Sequence, residues 1–118
     1  MTVRNLSKDV LFVALAEERE IGDELKAVNE LVTTRKDCDV IVDFDRVQII
    51  TSVNISNLII LRRLLEANGR QLIFSNVSLV TKCILRVIGL SDVFNFAADK
   101  AAALETLQRC AESAGTSK

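Results

Sequence analysis

A chain of 118 residues that is 49% hydrophobic, with 15 basic against 16 acidic side chains, has the length and apolar content for one domain with one core. Its net charge of −1 argues against broad attraction to nucleic acid or an anionic membrane, and no apolar run approaches the roughly 20 residues that span a bilayer. The polar start, Met1 to Asp9, lacks the apolar stretch of a signal peptide, so the protein is expected in the cytoplasm.

In chain order, Val10 to Leu15 is an almost continuous apolar run and predicts a strand, preceded by a weaker edge-strand signal over Thr2 to Leu6. Glu17 to Gly22 reads as a charged loop. Asp23 to Arg35 has helical periodicity, with Leu25, Val28, Leu31 and Val32 on one face and Asp23 placed to cap it. Val40 to Phe44 is a β-branched run of the kind found in strands covered on both faces, and Val47 to Ile50 continues it toward a polar corner, Thr51-Ser52-Val53-Asn54. From there Ile55, Leu58, Ile59, Leu61, Leu64 and Leu65 give a helix beginning near Ser52 or Asn54, with Asn57, Arg62, Arg63 and Glu66 on its polar side. Asn68-Gly69 ends that helix, glycine supplying a left-handed terminus.

Leu72 to Phe74 is the next short strand, and Ser78 is placed to cap a helix whose stripe is Val80, Cys83, Ile84, Val87 and Ile88. That spacing predicts a buried face with Cys83 as a small core residue. Gly89 stops the helix, Val93 to Phe96 reads as the last strand, and Ala98 to Ala111 as the last helix, with Leu104, Leu107 and Ala111 inward and a tail from residue 113 onward. Alternating strands and helices at this spacing predict an α/β domain over residues 1–112. It has a four- to five-stranded, mainly parallel or mixed sheet and about four helices. Functional loops gather at the carboxyl ends of such strands, where Thr51 and Ser52 fall.

Enzyme chemistry finds little footing here. The chain has no His, so no Ser-His or Cys-His nucleophile and no imidazole ligand. It has no Trp or Tyr, only four Gly, and no GxGxxG, GxxxxGK or GxSxG motif. Cys38, Cys83 and Cys110 fit neither a disulfide framework nor a zinc motif. Glu17 and Glu18 have no matching acid for a general acid–base pair. No catalytic residue, metal ligand or cofactor is therefore expected.

The informative residues are at the corner. A hydroxyl there lies against the unpaired N–H groups and partial positive charge of a helix start. Ser52 reads either as the helix cap or as a regulatory phosphoacceptor, with Thr51 the alternative in both roles. Asn54 reads as a first-turn polar residue, Ser56 as a solvated one, Asp43 and Asp45 as a polar strand end, and Arg62 with Arg63 as a solvated basic edge.

The succession resembles the STAS domain of bacterial anti-sigma factor antagonists, from about Val10 to about Leu107. Thr51-Ser52-Val53-Asn54-Ile55-Ser56 corresponds to that family's Asp-Ser-Ser-Gly-Leu-Gly. Gly69 before Leu72-Ile73-Phe74, the Ser78-capped helix, and Gly89-Leu90 with Val93-Phe94 complete the pattern. Thr51 replaces the family's acid, and Asn54 and Ser56 its two glycines. The resemblance implies a non-enzymatic regulatory domain that binds an anti-sigma factor with serine kinase activity. Thr51, Ser52, Val53, Asn54, Ser56 and Asn57 would form the contact, and phosphorylation at Ser52 would release it. It also implies a monomer or weak homodimer with no nucleic acid or membrane partner. Two alternatives accompany it: a non-phosphorylated STAS scaffold in a signalling assembly, and a domain sensing a nucleotide or lipid.

Overall fold

The computed structural model describes residues 2–15, 21–35, 37–47, 50–90 and 92–116, with backbone alone at Ile21 and over 110–116. In chain order the elements are β1 (Thr2–Ser7), β2 (Val10–Ala14), α1 (Ile21–Thr34), β3 (Asp39–Asp43), α2 (Ser52–Ala67), β4 (Leu72–Ser75), α3 (Leu79–Val87), β5 (Asn95–Ala97) and α4 (Lys100–Thr116). The five strands lie side by side in chain order in one mixed sheet. β1 runs antiparallel to β2, pairing Val3 with Val13. The other pairs are parallel, in a register that sets Val13 beside Val42, Val42 beside Phe74, and Phe74 beside Phe96.

The apolar runs have no polar alternation because both faces of the sheet are covered. Leu11, Val13, Val40, Val42, Leu72 and Phe74 point to the face packed by Leu25, Val28 and Val32 of α1, by Leu58, Leu61 and Leu65 of α2, and by Leu85 of α3. Val10, Phe12, Ile41 and Ile73, the alternate residues, meet Ala103 and Leu107 of α4 on the other face. Right-handed crossovers between successive parallel strands give this layout. They line up α1, α2 and α3 on one side and start α2 and α3 at the same end of the sheet. Phe74 lies 5.0 Å from Phe44 and 4.7 Å from Phe94, ring centre to ring centre. Pairs of this kind add about 0.5–1.5 kcal/mol beyond area burial and fasten β4 to its neighbours.

Several expectations shift by a residue or more. α1 starts at Ile21, so Asp23 lies in its first turn rather than capping it. Of the predicted loop, Gly22 is helical and Glu17 and Glu18 lie outside the described residues. Val47 and Ile50 are buried, but Val47 closes a turn through its N–H to the Phe44 carbonyl at 2.9 Å instead of extending β3, and residues 48–49 lie outside the described residues. Val93 belongs to a turn, and β5 is the later, shorter Asn95–Ala97. α4 opens at Lys100 behind Asp99, whose Oδ1 accepts from the Ala102 N–H at 2.8 Å. Its backbone is helical to Thr116, past the expected start of the tail, and the side chain of Ala111 lies outside the described part.

The largest correction is α3. Its apolar stripe faces outward: Cys83 is exposed, and Val80 and Val87 are 54% and 85% exposed. Only Thr81 and Leu85, one turn apart, are buried. The Ser78 cap explains the rotation. Ser78 Oγ accepts from the Thr81 N–H at 3.1 Å and donates to Thr81 Oγ1 at 3.0 Å, which turns Thr81 inward and brings Leu85 beneath it.

Candidate functional site

The corner is built at the carboxyl end of β3, one step from the end of β4. Asp43 Oδ1 accepts from Ser75 Oγ at 2.9 Å and from Asn76 Nδ2 at 2.7 Å, tying the two strand ends together. Asn76 adopts a φ of 54°, a left-handed conformation that asparagine tolerates better than most residues. Asp43 thus acts as a polar strand end, held by its own neighbours, while Asp45 is exposed.

Beyond the turn, Thr51 is the cap of α2. It has extended backbone, its Oγ1 accepts from the Asn54 N–H at 3.3 Å, and its carbonyl accepts from Ile55 at 3.0 Å. Ser52 is the first helical residue and is exposed. Because Thr51 performs the capping, the Ser52 hydroxyl makes no hydrogen bond with a described residue, and only its carbonyl is engaged, by Ser56 Oγ at 3.1 Å. No acid stands in the first turn of α2, so nothing on the helix offsets the partial positive charge there.

The six expected contact residues separate into two groups. Thr51, Ser52, Val53 and Ser56 are exposed, Val53 by 64%. Asn54 and Asn57 are buried, at 5% and 8% exposure, and so stand beneath the surface rather than on it. The cause is α1 packed alongside. A Cβ on Gly22 would stand 3.6 Å from Asn54 Oδ1, an ordinary van der Waals distance, so α1 runs close against this side chain. Asn29 Nδ2 of α1 donates to the Asn57 carbonyl at 3.3 Å, which draws Asn57 into the seam and away from the polar side predicted for it. Asn57 Nδ2 and Asn29 Oδ1 are buried there without a hydrogen-bond partner among the described residues.

The exposed ridge continues to Ile60, which is 47% exposed. Sequence reasoning missed it, because an isoleucine among Leu58, Ile59 and Leu61 gives no sign of facing out. Arg62 is not a free basic edge. Its Nε donates to the Val93 carbonyl at 2.7 Å and its guanidinium pairs with Glu66 at 2.6 Å, so it clamps α2 to the loop before β5. Arg63 is exposed.

Cys38 lies at the other end of β3, away from the corner. Burial pushes its thiol up, with Asp37 adding to the shift and the Arg35 guanidinium, 3.1 Å from Sγ, opposing it. Among the described residues, no cluster of three or more His, Cys, Asp or Glu could hold a metal ion, and no helix is long and apolar enough to cross a membrane.

A family model for the STAS domain matches residues 4–103. No curated protein matches the chain significantly. Solved structures share the fold at low sequence identity. A serine-to-glutamate variant of RsbS from Moorella thermoacetica is 17% identical, superposes with a TM-score of 0.81, and covers 94% of this chain and 97% of its own. The anti-sigma factor antagonist SpoIIAA in its unphosphorylated form is 16% identical with a TM-score of 0.74, over 91% of this chain and 95% of its own. A chain from the stressosome, described as a signal integration and transduction hub, is 16% identical with a TM-score of 0.73, over 93% and 98%. With a family model spanning most of its length, and a five-stranded mixed sheet and four helices where that family has them, the chain belongs to the STAS family.

Proposed function

We propose that this chain is a non-enzymatic regulatory module of the anti-sigma factor antagonist type, docking through the Thr51–Ser52 corner onto an anti-sigma factor with serine kinase activity and released by phosphorylation at Ser52. The observation that carries the reading is the division of labour between adjacent hydroxyls. Thr51 caps α2, leaving Ser52 exposed at the first helical position. In the transfer, Ser52 Oγ bonds to the γ-phosphorus of ATP, the bond to the β-phosphate oxygen breaks, ADP departs and the hydroxyl proton passes to the kinase. The chain itself supplies only the acceptor, and both proteins act in the cytoplasm.

Release follows from charge. Phosphorylation adds about −1.5 to −2 charges at neutral pH. The first turn of α2, without an acid of its own, accommodates that anion, so the domain stays folded. A partner surface seated over Ser52, Val53, Ser56 and Ile60 is repelled unless it offers Arg or Lys at that point. The test is calorimetric titration of a kinase-type anti-sigma factor with wild type, Ser52→Ala and Ser52→Asp. Binding by the first two and loss by the third is expected. Equal binding by all three would overturn the switch.

The second reading, a scaffold that is never phosphorylated, draws on Thr51, Asn54 and Ser56 standing in place of the family's acid and glycines, and on the likeness to a stressosome chain. Light scattering after size-exclusion chromatography separates the two, since a stable large oligomer favours the scaffold.

A further inference from the structure

We infer that the outer face of α3 is a second docking surface, fitted to an amphipathic helix of a partner protein whose apolar stripe is flanked by carboxylates. The inference rests on the reading of this chain as a docking module, but not on phosphorylation of Ser52. Leu79, Val80, Val87 and Ile88 are 76%, 54%, 85% and 50% exposed. With Cys83 and Ile84 they line a shallow depression of about 450 Å³. One or two such residues on a surface are ordinary, but six contiguous ones along a single helix form an interaction patch.

Charge selects the occupant. No acidic residue occurs between Ala67 and Ser91, whereas Lys82 and Arg86 both lie on α3. Lys82 Nζ stands 5.9 Å from the centre of the Phe96 ring, which puts the basic flank of α3 on the β5 side. Arg86, one turn on, shares that flank. Among the described residues neither has an ion-pair partner. A second copy of this chain is a poor occupant, because an antiparallel twofold pair sets like flank against like flank and Lys82 and Arg86 would meet their own copies. The patch is also too small to hold a dimer alone. The nine residues of α3 span roughly 14 Å and present on the order of a few hundred Å², against about 800 Å² per partner in a stable interface. A helix with an apolar stripe and an acidic border satisfies both the face and its flank. α3 begins beside α2 at the same end of the sheet, so one partner can cover α3 and the Ser52 corner together. An acidic partner is also the kind that a phosphate on Ser52 repels.

The test uses the full chain and two synthetic helical peptides of about 20 residues, long enough to hold a helix in part. Both carry leucines at i, i+3, i+4 and i+7, one flanked by Glu and the other by Lys. Fluorescence anisotropy reads binding, and the alkylation rate of Cys83, resolved by peptide mapping, reads occupancy of the face. The Glu-flanked peptide is expected to bind and to slow alkylation. Val87→Asp should weaken it by at least about tenfold, and the double change Lys82→Glu, Arg86→Glu should shift preference to the Lys-flanked peptide. No binding, or equal binding of both peptides, would overturn the proposal. So would a concentration-dependent dimer that shields Cys83 and is dispersed by Val87→Asp. Ser52 labelling by a kinase is scored separately. A labelled chain that ignores the peptides defeats the α3 claim alone, and a chain that binds them without being labelled defeats the switch alone.

Discussion

Thr51 and Ser52 are adjacent hydroxyls with opposite assignments, and alanine at each should separate them. Thr51 Oγ1 accepts from the Asn54 N–H, whereas Ser52 is an exposed first-turn residue whose hydroxyl serves no bond within the described fold. Losing an N-cap costs about 0.5–2 kcal/mol. The Thr51 bond, at 3.3 Å, is longer than the usual range and only part-buried, so Thr51→Ala belongs in the lower half, about 0.5–1 kcal/mol. Ser52→Ala exchanges a middling helix former for the best one and should be neutral or stabilising by up to about 0.5 kcal/mol. Ser52→Asp places a carboxylate in a first turn that has none and should gain about 0.3–1 kcal/mol. Urea denaturation at about 25 °C, followed by circular dichroism, should rank Ser52→Asp above Ser52→Ala, and Ser52→Ala above Thr51→Ala. A thermal difference of about 3–6 °C should separate proteins that differ by about 1 kcal/mol. If Ser52→Ala costs more than Thr51→Ala, the cap belongs to Ser52 and its hydroxyl is not free for a partner.

Three further outcomes follow from other parts of the fold. Leu85→Ala should cost about 2–5 kcal/mol, because its side chain is buried under α3, while Val87→Asp on the outer face should stay within about 0.5 kcal/mol; the same denaturation assay checks both. Asn57→Leu should raise stability by about 1 kcal/mol, since it removes a buried donor with no partner among the described residues, and a lowered urea midpoint would contradict that. Burial raises the Cys38 thiol above its ordinary 9.0, so on the alkaline side the unfolded chain ionises first. The contribution of Cys38 is then complete below pH 9.0 and lost as pH rises through the raised folded value. Cys38→Val should flatten that loss between mildly and strongly alkaline buffers.

Much of the layout was legible because it follows from local chemistry. Val40-Ile41-Val42 needs cover on both faces, and α1 to α3 with α4 supply it. Gly69 and Gly89 stand at left-handed φ values of 68° and 82° just past helix ends, where glycine was read as the stop. Ser78 caps α3 as its position before an apolar run indicates. What was not legible depends on the rest of the molecule. Val80, Cys83, Ile84, Val87 and Ile88 define one side of a helix, but periodicity cannot say which side faces the core, and the Ser78–Thr81 pair turned this one outward. Asn57 looked like a surface residue because nothing near it in sequence reveals Asn29 across the seam. The cap moved by one residue, from Ser52 to Thr51, a distance that propensity does not resolve.

On the proposed function, the Ser52 hydroxyl is presented to a kinase partner as a switch. The decisive experiment incubates the full chain with a kinase-type anti-sigma factor and ATP, digests the product and locates the phosphate by mass spectrometry. A single phosphate on Ser52 is expected, absent from Ser52→Ala and accompanied by loss of the complex. A phosphate on any other residue, or a complex that persists after Ser52 is modified, would contradict it.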